Sequence, residues 1–271
     1  MTETAAASWE EFPLWLESLE AERVRLRAGS GLHVSELLFR GQADASWKLA
    51  TTLERSYPNA LRAKDYYSAA HSAKHQIEAH TGQSWDIPQP PEFDKWVDDQ
   101  RMFGTREIPA LEYLVYLRHH GFPSPLLDWT QSPYVAAYFA LGSASPLTER
   151  VAIFAYLEYA GGAKGSSSRT PSIQTVGPYI RTHRRHFLQQ SQYTLCSVFA
   201  GDQWSYADHE SAFTAIRDEQ QDLLWTFTLP TSQRLSALRF LDKFNLNAFS
   251  LLGSEESLME TVAFRELGAR G

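Results

Sequence analysis

Cysteine is nearly missing from this chain: Cys196 is the only one among 271 residues. A lone thiol makes no disulfide framework and no cysteine-rich zinc site, and it points to a reducing compartment, the cytoplasm. Long apolar runs are missing as well. No stretch reaches the roughly 18 consecutive apolar residues of a membrane helix, and the acidic start lacks the charged-then-apolar pattern of a signal peptide. Neither a membrane partner nor a leader is therefore expected. Basic charge is in deficit, with 25 Lys plus Arg against 32 Asp plus Glu and a net charge of -7. That argues against holding nucleic acid through overall charge and leaves only a local patch. Residues 159–201 offer one, because no acid occurs there. Lys164, Arg169, Arg181, Arg184 and Arg185 fall in this window with His183 and His186. The stretch reads equally as a contact for phosphates or as a solvated face balanced by the acidic C-terminal third.

What the chain has in plenty is apolar and aromatic surface: 43% hydrophobic residues, with 8 Trp, 12 Tyr and 15 Phe. This is enough to bury a sizeable core, and it excludes a disordered chain. No internal repeat and no long linker divides it, so residues 1–271 read as one domain.

Residues 119–140 organise the rest. Gly121 and Pro123 end a preceding helix. Leu126 and Leu127 then lead into Asp128, Trp129, Thr130 and Ser132. Ser132 before Pro133 reads as an N-cap with proline in the first turn. Val135, Ala136, Phe139 and Ala140 follow at helical spacing. Polar groups at a strand-to-helix junction can meet a ligand, since the first helical N–H groups are unpaired; on the spacing alone the plain reading is that Asp128 and Ser132 only cap the helix.

Around this run, residues 8–28 predict an amphipathic helix built on Trp9, Phe12, Leu16, Leu19 and Val24, with Ser8 and Glu11 as a capping box and a break at Gly29-Ser30-Gly31. Leu37 to Phe39 make a short strand that runs into Arg40-Gly41-Gln42. An arginine there can aim into a cleft while the glycine lets backbone approach a ligand; a surface arginine is the plain alternative. Trp47, Leu49 and Leu53 suggest another short strand. Residues 56–120 read as a helical insertion interrupted by a loop at Pro88, Pro90 and Pro91. His71 and His75 stand at metal-binding spacing but lack the intervening glutamate, and they read as a solvated face, so no metal is expected. His119 and His120 end a helix, where the dipole favours positive charge. Strands are expected at 151–157, 193–199 and 223–229. A helix capped by Thr231 is expected to about residue 244, and a last helix over 254–267.

Several of these segments together resemble the FRG domain family, named for Phe-Arg-Gly. Phe39-Arg40-Gly41-Gln42 matches the signature, with Trp47-Lys48-Leu49, Leu53 and Arg55 after it. Residues 119–140, with Leu-Leu-Asp-Trp-Thr, Ser-Pro and Tyr-Phe-Ala, resemble its central motif. Arg185, Gln189 and Tyr193-Thr194 resemble its Arg/Gln segment, and residues 247–258 its last block. Two departures stand out: Pro123-Ser124-Pro125 replaces the usual Pro-Thr-Arg, and Leu252-Gly253-Ser254 loosens a Phe-Pro-Asp pattern.

The motif order is in turn similar to that of ADP-ribosyltransferases of the Arg/Ser-x-Ser/Glu type. That resemblance implies an α+β fold, a compact core of two small antiparallel or mixed sheets with flanking helices and the helical insertion. It implies NAD as substrate, with Arg40, Ser132, Gln189 and Glu256 as catalytic groups and either Gln189 or Glu255/Glu256 as the key polar group. It implies NAD contacts from Arg40, Gly41, Gln42, His119, Asp128, Trp129, Thr130, Ser132 and Tyr138. Arginine suits a pyrophosphate, and a carboxylate or amide steadies an oxocarbenium-like transition state. The expected acceptor is RNA or another nucleic acid ahead of protein, in a toxin or phage-defence effector with a neutralising antitoxin partner. The alternatives are an NAD glycohydrolase and a non-catalytic nucleotide-binding module.

Overall fold

The computed structural model describes residues 2–29, 33–59, 61–99, 108–165, 169–177, 180, 184–215 and 221–268. The expected break at Ser30 and Gly31 lies outside the described residues. In chain order the elements are β1 (Thr2–Ala5), α1 (Glu11–Gly29), β2 (Leu38–Gln42), α2 (Thr52–Ser56), α3 (Ala63–Thr81), α4 (Pro90–Asp98) and α5 (Leu111–His119). Then come β3 (Leu126–Thr130), α6 (Pro133–Gly142), β4 (Arg150–Tyr159), β5 (Ser172–Val176), α7 (Arg184–Leu188), β6 (Ser191–Ala200) and β7 (Gln203–Tyr206). The chain closes with α8 (His209–Ala215), β8 (Gln221–Pro230), α9 (Arg234–Lys243), α10 (Ala248–Leu252) and α11 (Glu255–Leu267).

The fold is mixed α and β. The expectation of two small sheets is corrected: among the described residues the strands form one sheet, in the order β1-β8-β4-β2-β3-β6-β5, with β7 on β6. β1 runs parallel to β8, and the other pairs are antiparallel. The join is narrow. β2 pairs with β4 over five residues but with β3 only at Phe39 and Thr130. The sheet is thus two well-laddered halves, split along most of the β2–β3 seam.

Strand alternation sends successive side chains to opposite faces. On one face, Val151, Ile153, Ala155 and Phe227 pack under α1, α6, α9 and α10. Over the other half of that face, Leu126, Tyr193, Leu195 and Val176 pack under α3, α4 and α5. The opposite face holds Trp129, Ala152, Phe154, Tyr156 and Cys196. The helical insertion is therefore the cover of one half-sheet. The expected interruption is there, with residues 82–89 and Pro88 lying between α3 and α4, but Pro90 and Pro91 occupy the first turn of α4, where a missing N–H and a fixed φ do no harm. Tyr67 on α3 stacks on Phe93 of α4 at 3.8 Å.

Other local readings resolve as follows. In α1 the buried residues include Phe12, Trp15, Leu19 and Arg23, while Val24 is exposed. Residues 47–53 form no strand; Thr51 caps α2 in a capping box with Glu54. Thr231 does not cap α9: the helix starts at Arg234 with Gln233 at its N-cap position, and the Thr231 hydroxyl donates to the carbonyl of Thr148 at 2.5 Å. Ser254 does cap α11.

Candidate functional site

The Phe-Arg-Gly run divides three tasks among three residues of β2. Phe39 is 5% exposed and anchors the core under α6. Gly41 lies against the backbone of α6: a Cβ there meets the Ala136 carbonyl oxygen at 2.0 Å and the Ala140 nitrogen at 2.6 Å. The glycine thus serves helix packing as well as lining the cavity at the seam, and Ala136, Ala137 and Ala140 are the small residues that let α6 come so close. Arg40, between them, reaches into the seam. Its Nη1 donates to the Asp128 backbone carbonyl at 2.8 Å.

A cavity of about 400 Å³ opens at this seam. Its walls come from β2 and the loop after it, α2, the end of α5, β3, α6, the turn after α7 and the start of β6, and they include Arg40, Gly41, Gln42, Arg55, Arg118, His119, Asp128, Trp129, Thr130 and Gln189. Segments from positions 40, 130 and 189 therefore share one cavity. The lining holds three arginines and one aspartate, an excess of two positive charges in a chain of net charge -7. Such a focus of charge favours an anion.

The arginines are not fully satisfied. Arg118 pairs with the Asp128 carboxylate through Nη2. Yet Arg40 Nε and Arg118 Nε are both buried without a hydrogen-bond partner among the described residues. Unpaired buried donors raise the local positive potential. Burial lowers the Arg40 pKa to about 10, with Arg118 and Arg55 pushing the same way and Asp128 opposing. The guanidinium still carries its charge at neutral pH.

Around it, polar groups are held in place. Thr130 Oγ1 donates to the Gln189 carbonyl at 2.6 Å and accepts from Ser132 N at 3.0 Å. Gln190, with φ 48, takes the left-handed conformation at this turn, an uncommon state for a residue with a side chain. Its carbonyl accepts from Gln131 N at 3.1 Å. The Gln189 amide donates to the Leu251 carbonyl at 3.1 Å, so it is engaged with the α10 end. His119 Nε2 and His186 Nδ1 both bond the Tyr193 hydroxyl, at 2.9 and 3.2 Å. Below the floor, Trp129 Nε1 donates to Thr194 Oγ1 at 2.8 Å, and that hydroxyl bonds His209 Nε2 at 2.9 Å. His209 is fully buried, and burial with the nearby Arg40 charge lowers its pKa to about 3.

Not every expected site residue joins this cavity. Ser132 caps α6, its Oγ accepting from Val135 N at 3.3 Å, and does not line the cavity. Tyr138 lines a separate, smaller cavity of about 110 Å³ with residues of α9 and α11. Glu256 sits in the exposed first turn of α11 and does not line the larger cavity, and neither does Glu255. Pro125 is buried outside it.

The basic stretch also reads differently in three dimensions. Lys164 turns inward to Glu158 and Asp222, at 3.4 and 2.7 Å. Arg185 Nε donates to the Leu252 carbonyl at 3.0 Å. His186 is buried. Arg181, His183 and the Arg184 side chain lie outside the described residues. Among the described residues of the stretch, Arg169 is exposed. Conversely, Arg118 was not singled out by the sequence reading, although it directly precedes His119 and a cation at a helix end is a recognisable signal. Among the described residues no cluster of His, Cys, Asp or Glu could hold a metal, and no helix is long and apolar enough to cross a membrane.

The family profile of the FRG domain matches residues 35–149. The chain carries an FRG domain. The matched part runs from just before β2 through α6 to the start of β4, so the FRG domain supplies Arg40, Arg55, Arg118, His119, Asp128 and Thr130 to the cavity. Gln189 comes from beyond it. No curated protein and no solved structure matches the chain.

Proposed function

We propose that the cavity at the split seam binds NAD and that the chain is an NAD-dependent ADP-ribosyltransferase acting on a macromolecule. The observation that carries this reading is the convergence of Arg40, Thr130 and Gln189 on one cationic cavity. Its volume, about 400 Å³, lies within the range of roughly 300–1,000 Å³ for small-molecule sites. The unpaired N–H groups of Arg40 and Arg118 suit a pyrophosphate, which arginine grips in a bidentate way.

In this reading the bond between the nicotinamide nitrogen and ribose C1′ breaks, and nicotinamide leaves with the bonding electron pair. The acceptor nucleophile then bonds C1′ and releases its proton. The positive charge that develops on the sugar needs a nearby negative group. Asp128 is the carboxylate that lines the cavity, so we assign it the stabilising role, in place of Gln189 or Glu256. Gln189 orients the wall through its bond to the Leu251 carbonyl.

Lys164 and Arg185 bond to protein partners while Arg169 is exposed, and the choice between RNA and protein as acceptor is left to experiment. The test is incubation of the purified chain with NAD labelled on its adenylate phosphate and total cell lysate, followed by separate nuclease and protease digestion. Label on a macromolecule supports the proposal, and the digestion that releases it names the acceptor. Nicotinamide release without macromolecular label identifies water as acceptor instead. Neither label nor nicotinamide release overturns the enzymatic reading.

A further inference from the structure

Seven of the eight tryptophans are buried or half-buried; Trp47 is 53% exposed. It lines the mouth of the cationic cavity, whose walls also hold Arg40 and Arg118. Its backbone is fixed. The buried Gln42 donates through Nε2 to the Trp47 carbonyl at 3.1 Å, and Trp47 N donates to the Asp44 carbonyl at 3.3 Å. An indole left in water forgoes the gain from burying its large apolar face. An anchored, exposed indole beside unpaired guanidinium N–H groups matches a ligand with two chemical parts, an aromatic ring and a phosphate.

We propose that Trp47 is the stacking platform for the aromatic base of the nucleotide whose phosphate meets Arg40 and Arg118. The assignment rests on the nucleotide reading of the cavity but not on any transfer chemistry. It makes base recognition a task of the loop after β2 and anion recognition a task of the seam.

The experiment is a calorimetric titration of the full chain with AMP, nicotinamide mononucleotide and ribose 5-phosphate. At least one mononucleotide is expected to bind about tenfold or more tightly than ribose 5-phosphate, the scale of one base stacked on an aromatic side chain. Trp47→Ala should erase that advantage and leave ribose 5-phosphate binding unchanged, while Trp47→Phe keeps most of it. Because the ring is exposed, both variants should keep the wild-type Tm. Mononucleotides that bind no better than ribose 5-phosphate, or an advantage that survives in Trp47→Ala, overturn the role of Trp47 while leaving the anion site standing. If none of the three binds, the nucleotide reading of the cavity falls together with it.

Discussion

The Arg40 guanidinium donates to the backbone carbonyl of Asp128 across 2.8 Å, between two strands that pair at a single position, Phe39 with Thr130. The bond replaces a strand-to-strand ladder with a side chain. It spans the opening at the place where a charged group can still reach a ligand. The separation of β2 from β3 creates the cavity, and Arg40 partly bridges it. Each prediction below follows from one part of that arrangement.

Asp128 is assigned to steady positive charge on the ribose. Asp128→Asn should lower kcat for nicotinamide release about a hundredfold, the scale of removing one aligned electrostatic partner, with KM changed little. The ion pair with Arg118 is partly exposed, at 20% and 36% side-chain exposure, so its loss should shift stability by about 1 kcal/mol or less. Steady-state kinetics with a denaturation curve checks both. A kcat within twofold of wild type removes Asp128 from the chemistry.

Gly41 sits where a Cβ meets the α6 backbone at 2.0 Å. Backbone cannot move aside as a flexible side chain can. Gly41→Ala should therefore destabilise the fold by about 3 kcal/mol, the upper end of ordinary overpacking. Urea titration reads the change. A loss under about 1 kcal/mol shows that α6 shifts freely, and it leaves the glycine only its place in the cavity wall.

His209 should make the fold acid-sensitive. Its folded pKa of about 3 lies below the ordinary 6.5. As pH falls from 6.5 toward 3 the unfolded chain takes up the proton first, so stability drops across that window and is unaffected above it. Between pH 7 and 5.5 the loss from this group is about 1 kcal/mol. Asp222 acts in the opposite sense, since burial raises its pKa, so the comparison must be with His209→Gln over the same range. The variant should lose about 1 kcal/mol less than wild type. Equal losses in the two proteins contradict the assignment of His209 as a buried neutral imidazole.

How much of this could be read from the sequence depended on how local the physics was. Ser132 was legible as a helix cap because capping involves only the next three residues. β4, β6 and β8 were legible as runs of branched and aromatic residues. β1, β5 and β7 were not. Thr2–Ala5 is exposed throughout and is a strand through its pairing with β8, while the pattern of Ser172–Val176, with Gln174 and Thr175 among its five residues, is weakly apolar. The single sheet was misread as two because its continuity hangs on one long-range pair, Phe39 with Thr130, and no local pattern encodes that pairing. The shared cavity of positions 40, 130 and 189 followed from the resemblance, but which side chains face it did not. Ser132 and Arg185 were read by type, whereas the fold uses one as a cap and ties the other to the Leu252 carbonyl. Lys164 shows the same limit, because the partners that bury it, Glu158 and Asp222, lie 58 residues apart from it in one case.

The central claim is that NAD binds at the β2–β3 seam through Arg40. Calorimetric titration of NAD into wild type and Arg40→Ala tests it most directly, with Tm recorded for both. The account predicts saturable binding at one site in the wild type, weakened about tenfold or more in the variant, as expected for the loss of a charge-assisted hydrogen bond. Absence of saturable binding in the wild type, or equal affinity in a folded Arg40→Ala, contradicts it.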